Sequence, residues 1–240
     1  MEMELRTLLY RLCRMVCRAL FFPTCQIEVC GLSNDGPPFD LDGPLILAGN
    51  HISHFDPPLL GSVLRSPVDF MAMQELFSTP VSAWLFHNIF AIPVDRSGSG
   101  MSAVREALMR LQAGRMICIF PEGGLRTGDS SILEHRPCPP GAALLALQSR
   151  VPVLPFIIIG TDRLYAWQCW FRSPKVLLLF GQRLNPVDSK GKRRNQQEFN
   201  DTLDAEIKRL YVAWKNGLDF DEIMIPRTAQ ERWAEEGSKV

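Results

Sequence analysis

The sequence predicts a single α/β domain with a mostly parallel, mixed sheet flanked by helices, preceded by an amphipathic helix at the N-terminus. Short apolar runs alternate with helical patterns along the chain, as in parallel strands joined by crossover helices. Of the 240 residues 46% are hydrophobic, which is enough to bury a sizeable core. Candidate polar groups follow three of the apolar runs, where open α/β sheets place their chemistry. Together these observations define the predicted fold class.

Residues 4–22 have the pattern of an amphipathic helix. On a helical wheel Arg11, Arg14 and Arg18 lie on one side, and a broad apolar face lies opposite. The apolar face consists of Leu5, Leu8, Leu9, Leu12, Met15, Val16 and Leu20. Such a helix lies in a membrane interface or docks on the core, and the pattern leaves both alternatives open. We assign residues 1–24 to a membrane-associating helix, 25–225 to the main domain and 226–240 to a poorly ordered polar tail.

Apolar runs bounded by proline, glycine or polar residues predict the strands of the sheet. They lie at 26–30, 45–48, 68–71, 115–120, 151–159 and 175–180. Helical patterns occur at 59–64, 81–90, 101–113, 141–149 and 199–214. The helix at 81–90 is mostly apolar, so we expect it to be buried. Prolines interrupt the strand at 151–159, so we expect it to pair incompletely or to lie near an edge of the sheet.

Net charge, cysteine spacing and apolar run length argue against several classes of protein. The formal net charge is zero, so the overall charge does not favour binding to nucleic acid. The seven cysteines form no CxxC pair, which is typical of a reducing compartment without structural disulfides or a zinc knuckle. The sequence has no run of about 18 uncharged apolar residues, so it predicts no ordinary transmembrane helix.

One histidine and one aspartate form the first candidate site. His51 follows the apolar run 45–48, and Asp56 comes five residues later as the expected N-cap of a helix that starts at Pro57. A histidine takes up a proton near neutral pH, and a carboxylate on its other ring nitrogen fixes the tautomer and stabilises the imidazolium. A turn of this length can fold Asp56 back onto the ring. The alternative is that Asp56 is only a helix cap and His51 only a loop residue.

Two further strand ends carry candidate ligand-binding groups. Arg96 precedes a loop of serines and glycines, 97–100, at the start of a helix. Free backbone N–H groups and the positive helix end favour an anion such as phosphate there. Glu122 precedes two glycines, which allow a ligand to approach the backbone and leave the carboxylate free to bond hydroxyl groups. The alternatives are an ordinary loop and a tight turn with a solvated glutamate.

Four blocks in this order resemble the glycerolipid acyltransferase superfamily, whose best-known members are 1-acylglycerol-3-phosphate acyltransferases. The blocks are His-x4-Asp from His51 to Asp56, Ile92-Pro93-Val94-Asp95-Arg96, Phe120-Pro121-Glu122-Gly123-Gly124 and Val151-Pro152-Val153-Leu154-Pro155. The resemblance covers roughly residues 40–185. Any one block is a weak signal, but four in the family's order at suitable separations are a strong one.

The resemblance implies an O-acyltransferase of phospholipid biosynthesis that acts on 1-acylglycerol 3-phosphate. It implies that His51 is the general base on the acceptor hydroxyl and that Asp56 orients its ring. The residues it places around the substrate are Arg96 on the phosphate, Glu122, Gly123, Gly124 and Arg126 at the acceptor site, and Pro155 at the pocket wall. Acyl-CoA or acyl-carrier protein is a co-substrate, and no cofactor or metal is implied. The expected location is the cytoplasmic face of a membrane, with the membrane surface and a lysophospholipid as partners.

The acceptor site has fewer cations than the family pattern. Leu125 stands where the family's third motif often has arginine, with Arg126 one residue later, and Met73 stands where many members have lysine. Other acceptors therefore stay open: a lysophospholipid with a head group, an ornithine-type lipid or glycerol 3-phosphate. Two other classes of protein are further alternatives. One is a non-catalytic lipid-binding scaffold of the same fold, and the other is a metal-dependent hydrolase with His51, His54 and Asp56 as ligands.

Overall fold

The structure, a computed structural model, describes residues 2–32, 39–96, 100–217 and 220–237. The strands are β1 (Gln26–Cys30), β2 (Leu45–Gly49), β3 (Val68–Met73), β4 (Ile92–Val94), β5 (Met116–Ile119), β6 (Val153–Ile159) and β7 (Lys175–Phe180). The α-helices in these ranges are α1 (Glu2–Thr24), α2 (Asp56–Val63), α3 (Pro80–Asn88), α4 (Met101–Gln112), α5 (Gly141–Ser149), α6 (Gln196–Lys215) and α7 (Ala229–Gly237).

Within the described ranges the strands form one seven-stranded sheet in the order β1-β7-β6-β2-β5-β3-β4. Every neighbouring pair is parallel except β6 and β7. The predicted α/β class, the mostly parallel sheet and the N-terminal helix are confirmed. β2 pairs with β5 on one side and β6 on the other, so the carboxyl ends of these three strands lie side by side. The chain segments that follow them meet at one edge of the sheet.

Apolar side chains cover both faces of the sheet. On one face α4, α5 and α6 contribute buried residues such as Leu111, Ala146 and Phe199. On the other face α2 contributes Leu59 and Leu60, and α1 contributes Phe21. The central strands β2, β5 and β6 are buried on both sides, which explains why their sequences are continuous apolar runs rather than alternating patterns.

β6 is a central strand, so the expectation that it lies near an edge of the sheet is wrong. The alternative of incomplete pairing holds on one side, because β6 pairs with β7 only from Phe156 to Ile159. It lies between β2 and β7, and all of its residues are buried. Pro155 sits where the pairing with β7 ends: its carbonyl accepts a hydrogen bond from Gly181 N–H at 2.8 Å, beyond the pair Phe156 and Phe180. Because the N and C=O of one strand residue point to the same side, the missing N–H removes one hydrogen bond at the end of this ladder.

The helix predicted at 81–90 forms as α3, but the expectation that it is buried is wrong. Val81, Trp84 and Leu85 are exposed. α3 packs against α1 and the short 3₁₀ turn Gln74–Phe77 rather than lying across the sheet. Its apolar side chains therefore remain at the surface.

The C-terminal tail is helical over α7, against the expectation that it is poorly ordered. Arg232 is 5% exposed, and its Nε lies 2.7 Å from Oδ2 of the buried Asp162. α7 packs against the 3₁₀ segment Thr161–Tyr165 that follows β6. A buried ion pair with a residue 70 positions earlier holds the tail. The local sequence of a polar segment does not predict a contact of this kind.

Two arginines on the basic side of α1 bond to the domain, and the third, Arg11, is exposed. Nη1 of Arg18 donates to Ser62 O at 3.0 Å, and Nη1 of Arg14 donates to Leu64 O at 3.3 Å. Both carbonyls lie at the C-terminal end of α2, where a cation is favourable. The exposed residues of α1 that we call the α1 stripe are Leu5, Leu8, Leu12, Met15, Val16 and Leu20. The helix thus docks on the domain and presents an apolar stripe outward. None of the helices in the described ranges has the length and apolar character to cross a membrane.

Candidate active site

The loop after β2 brings His51 and Asp56 together. Nδ1 of His51 lies 2.8 Å from Oδ2 of Asp56. The same oxygen accepts hydrogen bonds from the backbone N–H groups of Ile52 at 2.8 Å and Ser53 at 2.9 Å. Asp56 begins α2 and its carboxylate bonds back to the loop, so Phe55 rather than Asp56 is the N-cap. An ionised carboxylate only accepts, so this contact places the ring proton on Nδ1 and leaves Nε2 as a proton acceptor.

Asp56 is fully buried and its second oxygen is also bonded. Oδ1 accepts a hydrogen bond from Oγ1 of Thr161, which is itself fully buried after β6. Thr161 lies 105 residues from Asp56 in the sequence, and no spacing rule links the two positions, so this partner of Asp56 could not be predicted. The parallel register of β2 and β6 brings them together.

The backbone around His51 is held at both ends. The preceding Asn50 is buried, and its amide bridges to β6 by donating to Ile158 O at 2.9 Å and accepting from Ile158 N–H at 2.8 Å. His51 N–H donates to Oε2 of Glu122 at 2.7 Å, and His51 O accepts from Arg126 N–H at 2.9 Å. The histidine therefore sits between β6 and the segment that follows β5.

Glu122 is committed to the protein rather than free for a substrate. Its carboxylate is 3% exposed, and Oε1 accepts hydrogen bonds from Ser131 Oγ at 2.8 Å and Ile132 N–H at 2.9 Å, while Oε2 accepts from His51. Burial raises the pKa of Glu122, and these hydrogen bonds act in the opposite direction. The expectation that Glu122 is free to bond acceptor hydroxyls is therefore corrected: the structure gives it the role of positioning the His51 backbone.

The ring of His51 opens onto an apolar cavity. It stacks on Phe120 at 4.2 Å between ring centroids, and its side chain is 17% exposed. Within the described part of the chain Nε2 has no hydrogen-bond partner, so it is available to a ligand. The cavity has a volume of about 460 Å³ and is lined mainly by apolar residues of α1, α2 and β3, with Phe86 of α3. Such a shape suits a long hydrocarbon chain.

Arg96 and the glycine pair line the same cavity as His51. Arg96 is exposed, and a Cβ atom placed on Gly124 would lie 3.9 Å from its Nη1, so the two are neighbours. Gly123 has φ +66°, a conformation that favours glycine. The predicted phosphate-binding loop also includes residues 97–99, which lie outside the described residues.

Two predicted substrate-binding residues lie apart from the cavity wall. Arg126 is exposed and meets His51 through its backbone N–H. Pro155 is buried inside β6, paired with Ala48, and is absent from the cavity lining, so the expectation that it shapes the pocket is corrected. One residue left without a role does face the cavity: His54, whose Nδ1 pairs with the hydroxyl of Tyr165. In the described ranges no group of three or more His, Cys, Asp or Glu side chains is arranged to hold a metal ion.

A buried carboxylate, an oriented imidazole and an apolar cavity thus meet at the carboxyl ends of parallel strands. Comparison with known proteins gives the family. Residues 26–159 match the protein family described as Acyltransferase, so the chain belongs to this family. In a solved structure, the 1-acyl-sn-glycerophosphate (LPA) acyltransferase PlsC from Thermotoga maritima, the same fold recurs with a TM-score of 0.66 and 22% identity. The superposition covers 90% of this chain and 83% of that one.

Two relatives illustrate the spread of names in the family. The lyso-ornithine lipid O-acyltransferase of Pseudomonas aeruginosa is 31% identical over 93 residues, which are 38% of this chain and 35% of that protein. The 1-acyl-sn-glycerol-3-phosphate acyltransferase of Streptococcus pneumoniae is 25% identical over 169 residues, which are 70% of this chain and 59% of that protein. The chain thus spans less than two thirds of the length of either relative.

Proposed function

We propose that this protein transfers a fatty acyl group from an acyl thioester, acyl-CoA or acyl-carrier protein, to the hydroxyl of a lysophospholipid, and that the acceptor is 1-acylglycerol 3-phosphate. The observation that carries the proposal is the 2.8 Å contact between His51 Nδ1 and Asp56, with the opposite ring nitrogen facing an apolar cavity. The names of the relatives support the substrate class.

In the proposed reaction the acyl group passes directly to the acceptor, without a covalent enzyme intermediate. Nε2 of His51 takes the proton from the acceptor hydroxyl as its oxygen attacks the thioester carbonyl. Asp56 stabilises the imidazolium that forms. The tetrahedral intermediate then collapses, the new ester bond remains, and the thiolate leaves with the proton that His51 returns. These steps require only the protein's own residues and the acyl thioester as co-substrate.

The cavity supplies a place for the acyl chain. Its lining includes Tyr10, Cys13 and Cys17 of α1, Phe70, Met71 and Met73 of β3, and Phe86 and Ile89. Apolar walls recognise a hydrocarbon chain by removing its surface from water, about 0.8 kcal/mol per buried CH₂ group. Methionine side chains adapt to chains of different shape.

Arg96 is the cation placed to hold the acceptor phosphate. Its guanidinium borders the cavity beside Gly124 and can bind a phosphate through two parallel hydrogen bonds. Gly123 and Gly124, with no side chains, let a head group come close to the backbone. We expect Arg96→Gln to raise KM for a phosphate-bearing acceptor more than KM for an acceptor without phosphate.

We also propose that the protein lies on the cytoplasmic face of a membrane, held by the α1 stripe. Six apolar side chains of one helix face outward, and Val81 and Trp84 of the neighbouring α3 are exposed as well. An exposed apolar surface of this kind is typical of a helix that rests in the lipid interface. Because the acceptor and the acyl chain are lipids, an interfacial position gives them a path to the cavity.

The test is thiol release from acyl-CoA in detergent micelles that contain lysophosphatidate. We expect release to depend on the acceptor and to fall by roughly 10²–10⁴-fold in His51→Ala, as for the loss of a general base. The matched control is His135→Ala, because the His135 side chain is 79% exposed and lies outside the cavity lining. Equal rates in wild type and His51→Ala would exclude His51 as the base.

Two alternatives are outcomes of the same assay. Release with lyso-ornithine lipid but not with lysophosphatidate would move the acceptor toward that of the Pseudomonas aeruginosa relative. Binding of lysolipid vesicles without release from any donor, including acyl-carrier protein, would indicate a non-catalytic lipid-binding scaffold of the same fold.

A further inference from the structure

We propose that the C-terminal clamp, residues 225–232, holds the catalytic pair in place through the buried Arg232–Asp162 ion pair, which positions Thr161 against Asp56. This inference rests on the proposed function, in which His51 is the general base. Thr161, Asp162 and Arg232 are positioning residues in this scheme, because they act on His51 only through Asp56.

Thr161 bonds directly to the carboxylate of Asp56. Oδ2 of Asp56 has three donors, from His51 and two backbone N–H groups of the loop. Oδ1 depends on the Thr161 hydroxyl. Both side chains are fully buried, so no water takes the place of the hydroxyl without opening the site. The hydroxyl thus fixes the plane of the carboxylate and, with it, the direction of the His51 ring.

A turn at Gly160 connects Thr161 to the clamp. Gly160 has φ +90°, and a Cβ atom there would lie 2.5 Å from the carbonyl oxygen of Lys175, so the backbone turns sharply against β7. Thr161 then points to the active site, and the next side chain, Asp162, points to the tail. A displacement of Asp162 is therefore transmitted to Thr161 across one peptide unit.

In the clamp, two residues of the tail donate hydrogen bonds to Asp162. Oδ2 of Asp162 accepts from Nε of Arg232 at 2.7 Å and from the backbone N–H of Arg227 at 3.1 Å. Nη2 of Arg232 donates in addition to Ile225 O at 2.8 Å, which closes the tail on itself. Arg232 is 5% exposed and Asp162 is fully buried. A buried ion pair is a poor source of net stability, but it fixes one geometry strongly because either charge alone is costly in the interior.

The segment held by the clamp touches the catalytic loop at a second point. The hydroxyl of Tyr165 accepts from His54 N–H at 2.9 Å and also pairs with the His54 ring. The 3₁₀ segment Thr161–Tyr165 therefore lies between the clamp and the loop from His51 to Asp56. An ion pair joins it to the clamp, and hydrogen bonds join it to the loop. This juxtaposition is what a positioning device requires.

A double-mutant cycle on kcat tests the inference in the full-length protein. We expect Thr161→Val and Arg232→Leu each to lower kcat for acyl transfer between about 10-fold and 100-fold with little change in KM, because the cavity is intact and only the orientation of the base is lost. If Arg232 acts through Thr161, the double variant falls no further than the worse single variant. Thr161→Ser, which keeps the hydroxyl, restores kcat.

A second readout does not depend on turnover. The proton on Nδ1 of His51 gives its own signal in proton NMR when Asp56 holds it, and with four histidines in the chain the signal is assigned by substitution. We expect this signal to move or vanish in Thr161→Val and Arg232→Leu and to persist in Thr161→Ser. The charged groups that bond to His51 or share its cavity are unchanged in all three variants: Asp56, Glu122, Arg14 and Arg96.

The outcomes separate the clamp from the proposed function. The proposed function is overturned if the wild type shows no acyl transfer or if His51→Ala retains it. In either case the NMR signal of the Nδ1 proton still shows whether the clamp orients His51. Normal kcat and an unchanged Nδ1 signal in folded Arg232→Leu overturn the clamp, as do additive losses in the double variant.

Two further variants guard against a trivial result. If Arg232→Leu does not fold, Arg232→Lys replaces it, since lysine keeps the charge but lacks the fork that reaches both Asp162 and Ile225. Its kcat and Nδ1 signal are expected to change in the same direction, and wild-type values overturn the clamp. The control is Arg209→Leu, which removes a 56% exposed arginine paired with Glu206 and is expected to leave kcat and the NMR signal unchanged.

Discussion

At the residue scale, four hydrogen-bond donors converge on the carboxylate of Asp56: His51, two backbone N–H groups of the same loop and Thr161. An asparagine cannot accept from all of them, because its NH₂ group is a donor. We therefore expect Asp56→Asn to leave the His51 ring in the wrong tautomer and to lower kcat by roughly 10³–10⁴-fold. The measurement is thiol release from acyl-CoA at saturating lysophosphatidate.

The control for this change is Asp129→Asn, since the Asp129 side chain is 92% exposed. A wild-type kcat in Asp56→Asn would mean that the carboxylate serves the fold alone. Thermal unfolding of both variants shows whether a loss of kcat comes from unfolded protein.

Glu122 predicts a dependence of stability on pH. Burial raises its pKa in the folded chain above the value in the unfolded chain, so the folded state holds this proton more tightly. The stability that this proton supplies is complete below the unfolded pKa and is lost as the pH rises through the folded pKa. Glu122→Gln has no such proton. We expect the free energy of unfolding of wild type, relative to the variant, to be larger at acidic pH and to shrink toward neutral pH.

Urea titrations of wild type and Glu122→Gln at a series of pH values measure this difference. Glu198→Gln, at a side chain that is 65% exposed, is the matched control. A difference between wild type and Glu122→Gln that does not vary with pH would show that the buried carboxylate has the same proton affinity in both states of the chain.

At the element scale, α1 shows how a docked helix keeps an apolar outer face. Its arginines bond to the end of α2, and Tyr10 accepts a hydrogen bond from Val68 N–H at 3.1 Å, so the inner side is fixed by polar as well as apolar contacts. The α1 stripe is left for another partner. The sequence presented docking and membrane contact as alternatives, whereas this geometry allows both at once.

The α1 stripe makes a direct prediction for membrane binding. Leu8 and Met15 are exposed and lie seven residues apart on the same side of α1. Leu8→Glu and Met15→Glu are each expected to reduce partition onto phospholipid vesicles roughly tenfold or more, from a loss of about 1.5–3 kcal/mol of apolar burial per side chain. Vesicle flotation measures the bound fraction.

The matched control for these variants is Val212→Glu on α6, an apolar position of similar exposure on the opposite face of the sheet. Similar losses in all three proteins would assign the effect to net charge rather than to the α1 stripe. Thiol release in micelles is expected to stay at the wild-type level, because none of these side chains lines the cavity.

At the scale of the whole molecule, the fold was predictable from the sequence and the support of the site was not. Apolar runs that alternate with helical patterns are a local signal. They predicted six of the strands and the mostly parallel sheet. The contact of His51 with Asp56 was also local, since five residues separate them. The contacts of Thr161 with Asp56 and of Arg232 with Asp162 join residues that lie far apart in the sequence. Pro155 lies in a central strand rather than at an edge, because its missing N–H removes only one hydrogen bond. The catalytic and binding roles of the site residues remain predictions, which the variants described above would test.

α1 also belongs to the folded unit, and its removal gives the last prediction. Phe21 and Tyr10 are buried, and Tyr10 lines the cavity that faces His51. Deletion of residues 2–24 exposes the apolar face of α2 and opens one wall of this cavity. Loss of Phe21 alone lowers the free energy of unfolding by roughly 3–5 kcal/mol. We therefore expect the truncated protein to unfold at a lower urea concentration and to lose acyl transfer even in micelles.

Leu8→Glu is the control, since it disturbs membrane contact and keeps the buried side chains. A truncated protein with wild-type stability and turnover in micelles would show that α1 is only an anchor. In that case the functional unit would start near residue 25, whereas the buried contacts of α1 lead us to expect that it includes the helix.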